Sequence, residues 1–270
     1  MTTAITPSGR FLGRKPPTPD PTDKRFKDVH ARAMDVAIPP SMDLTARMPP
    51  VVDQAKLGAC GPCSETALHW FLFPEVKIFS RLGLYYDVRV EEDDVGEDAG
   101  VQTRDLFKVA QSLGVGPETE CPYNIDKFTV EPSSQYQQDA GKYKLNNYSQ
   151  LVTENEHISC LASGFPFVFG VTVYESIDSK QLARTGVMPW PNADEQIIGG
   201  HDLCCVGYDL SFKSSAVFKA SGVNPDLVSD EAVLIRNSWS NTWGLGGHFW
   251  MPLGYIINPT IGGDSWTGRR

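Results

Sequence analysis

The stretch "DQAKLGACGPCSET" (53–66) holds two cysteines, Cys60 and Cys63, with two residues between them. Such a pair is typical of three kinds of site: a thiol–disulfide redox centre, one half of a zinc site, or a nucleophile beside an unrelated cysteine. Each kind of site requires different company elsewhere in the chain. The rest of the sequence therefore decides between them.

The redox and zinc interpretations find little support. C-G-P-C is the active-site sequence of thioredoxin, but here the preceding "ARMPPVVDQAKLGA" (46–59) has two prolines and little strand character, and no βαβ pattern follows. A zinc site needs a second ligand pair, and no two histidines lie close together. The other cysteines are single or adjacent: Cys121, Cys160, Cys204 and Cys205.

Composition excludes several classes of protein. The chain has 270 residues and a formal net charge of −9, which argues against nucleic acid as the main partner because a phosphate backbone requires a basic surface. No stretch approaches the roughly 20 apolar residues of a membrane span, so no membrane partner is expected. The N-terminus lacks the apolar core of a cleavable secretory signal. We therefore expect a cytoplasmic protein, or one exported without such a signal.

The chain divides into an arm and a body. Residues 1–37 are rich in Pro, Lys and Asp and show no periodicity, so we expect an extended arm that is ordered only where it lies against the body. The body, 38–270, is helical over about 45–150 and rich in strands over about 151–265. Helices are predicted at 64–73, 80–90 and 103–114, and strands at 165–174, 201–209, 232–239 and 246–252.

A cysteine nucleophile needs a helix N-terminus to lower its pKa, a base, a group that orients the base, and a donor for the oxyanion. Cys60 lies just ahead of the first predicted helix. Gln54 is six residues upstream, and its amide can reach an oxyanion from a tight loop. "GGHDLCCVGYD" surrounds His201, and "IRNSWSNTWGLGGHFW" surrounds Asn237.

These segments resemble the papain family of cysteine peptidases, most closely its bacterial branch. "DQAKLGAC" is similar to the family's "DQG-x-LGSC", with Ala55 for Gly and Ala59 for Ser, and the other two segments match its histidine and asparagine motifs. "IPPSMDL" (38–44) and "GVGPETECPY" (114–123) are also similar to family motifs. The resemblance implies an α+β, papain-like two-lobe fold, with a helical first lobe, a β-barrel-like second lobe and the active site in the cleft between them.

The resemblance also implies roles for individual residues. Cys60 is the nucleophile, because the family places its glutamine six residues before the nucleophile; Cys63 would require nine. His201 follows Cys60 by 141 residues and is the base, and Asn237 orients it. By analogy Trp239 covers the Asn–His hydrogen bond, and peptide binding falls to Gly100, Gly200 and Trp243. The segment 251–256 and Val171 predict an apolar side-chain pocket.

These roles predict hydrolysis of peptide or protein substrates through a thioester, with no metal or organic cofactor. The arm either packs across the cleft as a short blocking segment or merely wraps the surface. Two alternatives stay open: a thiol–disulfide oxidoreductase that uses Cys60 and Cys63, and a papain-fold binding module without catalysis. A papain-fold amidase or acyltransferase would use identical chemistry.

Overall fold

The computed structural model describes residues 3–270 and combines α-helices with an antiparallel sheet, which confirms the α+β prediction. The β-branched and aromatic runs of the second half form most of its strands. The α-helices are α1 (Phe26–Val29), α2 (Cys60–Leu72), α3 (Arg81–Glu91), α4 (Thr103–Ser112), α5 (Ser134–Ala140), α6 (Glu154–Ala162), α7 (Lys180–Thr185), α8 (Ala216–Ser221) and α9 (Gly254–Ile257). The β-strands are β1 (Ala4–Ile5), β2 (Phe11–Leu12), β3 (Ser41–Asp43), β4 (Asn147–Leu151), β5 (Phe167–Tyr174), β6 (Ile197–Asp209), β7 (Ala232–Arg236), β8 (His248–Pro252) and β9 (Asp264–Arg269).

Helix α2 begins earlier than the sequence pattern predicted. Its first residue is Cys60 rather than Ser64, since the N–H of Cys63 already donates to the carbonyl of Ala59 at 3.0 Å. Pro62 is tolerated there because the N–H groups of a first helical turn have no intrahelical acceptor. The nucleophile candidate therefore lies on the helix itself.

The large sheet has the strand order β4–β9–β5–β6–β7–β8, with β3 paired to β6 beside this path. Every pairing is antiparallel. The path ends at β4 and β8, so over residues 3–270 the sheet is open and not a closed barrel. The predicted barrel-like lobe is thus an open antiparallel sheet on which α2 packs.

Strand β6 is the element that positions the site. Its 13 residues pair with β5, β7 and β3, and Val171 of β5 lies opposite His201. The middle of β6 is buried, in keeping with a continuous apolar run covered on both faces. Helix α2 packs against β6, which brings its first turn to the same part of the fold as His201.

The arm is ordered against the body. Two parts of the arm anchor it. The first is the hairpin that β1 and β2 form. The second is Phe26 of α1, whose side chain is fully buried in the core. Arg25 and Glu156 form an ion pair at 2.8 Å near this second anchor. Residues 13–25 connect the hairpin to α1, and the backbone of Gly13 contacts the side chain of Cys60 at the start of α2.

Candidate active site

Cys60 is fully buried, with its side chain at the positive end of the α2 dipole. Its sulfur accepts a hydrogen bond from the backbone N–H of Asp202 at 3.4 Å and another from the backbone of Gly13 in the arm. Burial, and secondarily the nearby Asp202 carboxyl group, raise the pKa of the Cys60 thiol. Burial in this arm-covered state therefore favours the thiol over the thiolate.

His201 is held by the side chain of Asn237. The imidazole Nε2 lies 2.9 Å from Asn237 Oδ1, and the backbone N–H of Ser238 donates to the same atom at 2.8 Å, which identifies it as the amide oxygen. Nε2 must then carry the proton, and Nδ1 keeps its lone pair. Nδ1 is buried without a hydrogen-bond partner, and burial lowers the pKa of His201 to about 4. The imidazole is thus a neutral base with a free acceptor.

The hydrogen-bond partners of the Gln54 side chain identify which of its amide atoms is the nitrogen. Nε2 lies 3.0 Å from the carbonyl oxygen of Phe11 and 2.9 Å from that of Leu57, both of which only accept. Its Oε1 accepts from the Ser238 hydroxyl at 2.6 Å. The donor that the sequence assigned to an oxyanion is thus occupied by a carbonyl of the arm.

The arm pairs with both walls of the cleft through its backbone. The N–H of Val101 donates to Gly13 O at 2.9 Å, and the N–H of Lys15 donates to Val101 O at 2.9 Å. On the opposite side, the N–H of Arg14 donates to Gly200 O at 3.2 Å. Of the two glycines predicted to bind peptide, Gly200 accepts a hydrogen bond from the arm with its own carbonyl oxygen. Beside Gly100, it is Val101 that pairs with the arm.

Two glycines, Gly13 and Gly100, allow the arm to approach this closely. A Cβ placed on Gly13 would lie 1.8 Å from the carbonyl oxygen of Gly58, and one on Gly100 would lie 2.0 Å from the carbonyl oxygen of Gly13. Both contacts are with backbone atoms, which cannot move aside as a flexible side chain can. The absence of side chains here is therefore a condition for the arm to lie in the cleft.

The rings of Trp239 and Trp243 pack one behind the other on the far side of the His201 ring. The ring of Trp239 is fully buried, with its centroid 5.0 Å from that of His201. Trp243 meets Trp239 edge-on, with 5.2 Å between centroids. Trp239 therefore shields the imidazole from water, and Trp243 supports Trp239.

Cys63 lies apart from this cleft. It lines a cavity of about 180 Å³ between the segment around Pro50 and helix α3, and Arg81 lines the same cavity. Burial raises the pKa of its thiol to about 11. The two cysteines thus have different neighbours, which favours a nucleophile with an unrelated cysteine over a redox pair.

Two contributors escaped the sequence reasoning. Ser238, which orients Gln54, follows Asn237 directly in the "RNSW" motif and was visible there. Val101 acts through its backbone alone, so no side-chain pattern could have identified it. Among residues 3–270 no cluster of three or more His, Cys, Asp or Glu side chains is arranged to hold a metal ion. No helix in that range is long and apolar enough to cross a membrane.

This combination of helices, open antiparallel sheet and inter-lobe site is the fold of papain-like cysteine proteases. Solved structures share it, among them a digestive procathepsin L2 proteinase of Tenebrio molitor, with a TM-score of 0.62, 19% identity, and coverage of 87% of this chain and 69% of that one. At that identity the likeness shows the fold alone.

Sequence comparison gives the family. The sequence model described as papain family cysteine protease matches residues 88–259, which include His201 and Asn237 but begin after Cys60. An uncharacterized peptidase C1-like protein of Acanthamoeba polyphaga mimivirus is 31% identical over 236 residues, covering 81% of this chain and 70% of that protein. The chain belongs to the papain family of cysteine proteases.

Two further relatives extend the comparison. Xylellain, a cysteine protease from Xylella fastidiosa, is 31% identical with a TM-score of 0.80, and the match covers 100% of this chain and 98% of that one. Cysteine proteinase 3 of Entamoeba histolytica is 24% identical over 226 residues; the match covers 82% of this chain and 65% of that protein. The likeness to Xylellain agrees with the bacterial-branch resemblance of the motifs.

Proposed function

We propose that this chain hydrolyses peptide bonds with Cys60 as nucleophile, His201 as base, Asn237 as orienting group and Gln54 as oxyanion donor. The observation that carries the proposal is the His201–Asn237 hydrogen bond, which leaves Nδ1 as a free acceptor one residue from the Asp202 N–H that contacts the Cys60 sulfur. The separate surroundings of Cys63 favour this function over a thiol–disulfide exchange.

The reaction would proceed in two steps. The Cys60 proton moves to Nδ1 of His201, and the thiolate forms a bond to the peptide carbonyl carbon. Gln54 Nε2 and the Cys60 backbone N–H, a donor that has no intrahelical acceptor, stabilise the oxyanion. The C–N bond breaks as His201 protonates the leaving amine. His201 then takes a proton from water, whose oxygen displaces the thiol and releases the acid.

We further propose that residues 1–37 are a short latency segment on a peptidase body of residues 38–270. Phe11 O accepts from the oxyanion donor, and the Gly13 backbone contacts the nucleophile sulfur. A covered site keeps Cys60 as a thiol and His201 as a neutral base, because burial disfavours the charged form of each. Lifting the arm would let water in and make the thiolate–imidazolium pair accessible.

The test is covalent labelling with E-64, an epoxide inhibitor of thiol proteases, followed by intact mass and peptide mapping. We expect one adduct on Cys60, formed slowly by the full chain and faster after removal of residues 1–19, a cut that keeps the buried Phe26. Cys63→Ser is the matched control and should label normally, whereas His201→Ala should not label. An adduct on Cys63, or labelling that is indifferent to His201, would contradict the proposed roles.

A further inference from the structure

The arm also places a charged side chain in the body of the protein, at Arg14. The Arg14 side chain is 8% exposed, and its Nη2 lies 3.3 Å from Oδ2 of Asp264, which is 2% exposed. The two residues are 250 positions apart in sequence. A buried arginine–carboxylate pair made by an arm that lies along the active-site cleft points to a built pocket for a basic group.

The sheet shows how this pocket is made. Gly170 of β5 pairs with Asp202 of β6 on one side and with Asp264 of β9 on the other. Residues directly opposite one another in antiparallel strands project to the same face, so the two aspartates flank a position that has no side chain. A Cβ on Gly170 would lie 1.9 Å from Arg14 Nε. The glycine is therefore the gap into which the guanidinium inserts.

Arg14 leaves some polar atoms of the pocket without a hydrogen-bond partner. Asp202 Oδ1 accepts from the Thr103 hydroxyl at 2.7 Å, and Asp264 Oδ1 accepts from Trp266 Nε1 at 2.7 Å. Asp202 Oδ2, which lies against the start of α2, and Arg14 Nε are both buried without a hydrogen-bond partner. Two buried carboxyl groups are costly to keep unless a cation faces them, and Arg14 is the cation that does so here.

The next residue of the arm meets acidic groups as well. Lys15 Nζ lies 2.5 Å from Oε2 of Glu92, which is 5% exposed, and it also contacts Asp94. Both partners lie at the rim of the cleft near the Val101 backbone that pairs with the arm. Acidic side chains thus face two consecutive basic residues of the arm, Arg14 and Lys15.

We propose that the row Asp202–Gly170–Asp264 is a specificity pocket that selects substrates with an arginine or lysine within two residues of the cleaved bond. The inference rests on the proposed peptidase function. The position follows from the arm, where Arg14 is adjacent to Gly13, whose backbone contacts the Cys60 sulfur. Arginine is favoured over lysine because its planar fork can address both carboxylates. This pocket differs from the apolar one that analogy predicted.

The proposal is tested with internally quenched peptides in which each position around a cleavable core carries arginine, lysine, citrulline or leucine. Citrulline keeps the shape of arginine without its charge. The enzyme is the full chain carrying Gly13→Ala, and the measured quantity is the ratio of kcat/KM values. That ratio does not depend on the fraction of molecules whose arm has lifted, because both substrates meet the same open form.

We expect one position at which arginine exceeds citrulline and leucine by about 10- to 100-fold, the range for a hydrogen bond to a charged group. Asp264→Asn should abolish that preference, so that the arginine, citrulline and leucine peptides are hydrolysed with similar kcat/KM values. The matched control is Asp87→Asn, another buried carboxyl group, which lies beside Tyr136 away from the cleft and should leave the ratio unchanged. A second basic residue in the position of Lys15 should add a few-fold, since that rim is more exposed.

A second measurement separates the inference from the function on which it rests. The peptide of residues 11–15, with arginine or citrulline at position 14, is titrated calorimetrically into the chain carrying Cys60→Ser and Gly13→Ala. Cleavage without a basic preference, or a preference that survives Asp264→Asn, overturns the pocket and leaves the peptidase. Arginine-dependent binding without cleavage of any peptide overturns the peptidase and leaves the pocket. If no peptide is cleaved and no arginine-dependent binding is measured, both the peptidase function and the pocket are overturned.

Discussion

Replacement of Gly13 by alanine tests whether the arm controls access to the Cys60 thiol. The new Cβ would lie 1.8 Å from Gly58 O, whereas an ordinary contact begins at about 3.4 Å, so the arm must move outward by roughly 1.6 Å. A displacement of that size carries hydrogen bonds of 2.9–3.2 Å beyond their working range.

The magnitude follows from the bonds at risk. Four hydrogen bonds made by the backbone of residues 11–15 are at risk: those of Gln54 with Phe11, of Gly200 with Arg14, and of Val101 with both Gly13 and Lys15. Each contributes about 0.5–1.5 kcal/mol, so the arm would be released by about 2–6 kcal/mol. At 1.36 kcal/mol per decade, the open fraction would rise by about 30-fold or more until it saturates.

The assay is the rate of alkylation of Cys60 by iodoacetamide, a small neutral reagent, followed by intact mass and peptide mapping. Thr18→Ala is the control, because Thr18 is exposed and contacts Gln102 through its backbone rather than its side chain. The thermal midpoint should stay near that of the wild type, since Phe26 remains anchored. Equal alkylation rates for Gly13→Ala and Thr18→Ala would refute the reasoning that the arm limits access.

Three further predictions follow from the same contacts. Asn237→Ala removes the acceptor of the buried His201 Nε2–H, and kcat/KM should fall by about 5- to 150-fold, the cost of an unpaired buried donor; an unchanged value would remove Asn237 from the site. Gln54→Ala should act in opposite directions: kcat falls by about 10²–10³ as an oxyanion donor is lost, while Cys60 alkylation rises because Phe11 O loses its partner. A parallel fall in both measurements would show that Gln54 does not hold the arm. His157 is fully buried, and burial lowers its pKa to about 4 from 6.5, so the unfolded chain binds more protons between these values. The contribution of His157 to the free energy of unfolding should therefore be fully present above pH 6.5 and should decrease by roughly 3 kcal/mol as the pH falls to 4. The urea midpoint of His157→Leu should not show this part of the pH dependence.

Local patterns predicted three helices and four strands of the body, and misplaced several of their ends where neighbouring elements intervene. Helix α2 starts four residues before its predicted start, because the Ala59 carbonyl closes a turn that the glycine and proline of C-G-P-C do not favour. The strand predicted from position 201 starts at Ile197, because pairing with β5 extends it through two glycines. Strands β4 and β9 were not predicted at all; each is specified by the strand it pairs with.

The sequence by itself determined the family and the candidate catalytic set. Gln54, Cys60, His201 and Asn237 each lie in a short motif, and the chemistry of a cysteine nucleophile requires those residue types together. Only the tertiary structure decided what occupies the cleft. The path of the arm depends on glycines from distant segments meeting backbone to backbone.

The acidic row was equally invisible in the sequence. Asp202, Gly170 and Asp264 share a face because of the register among three strands, and the arginine that they hold comes from the other end of the chain. The fold encloses Arg14 and Asp264 in a buried ion pair. Long-range pairing and desolvation arise only in the folded chain, because no local stretch of sequence contains both partners.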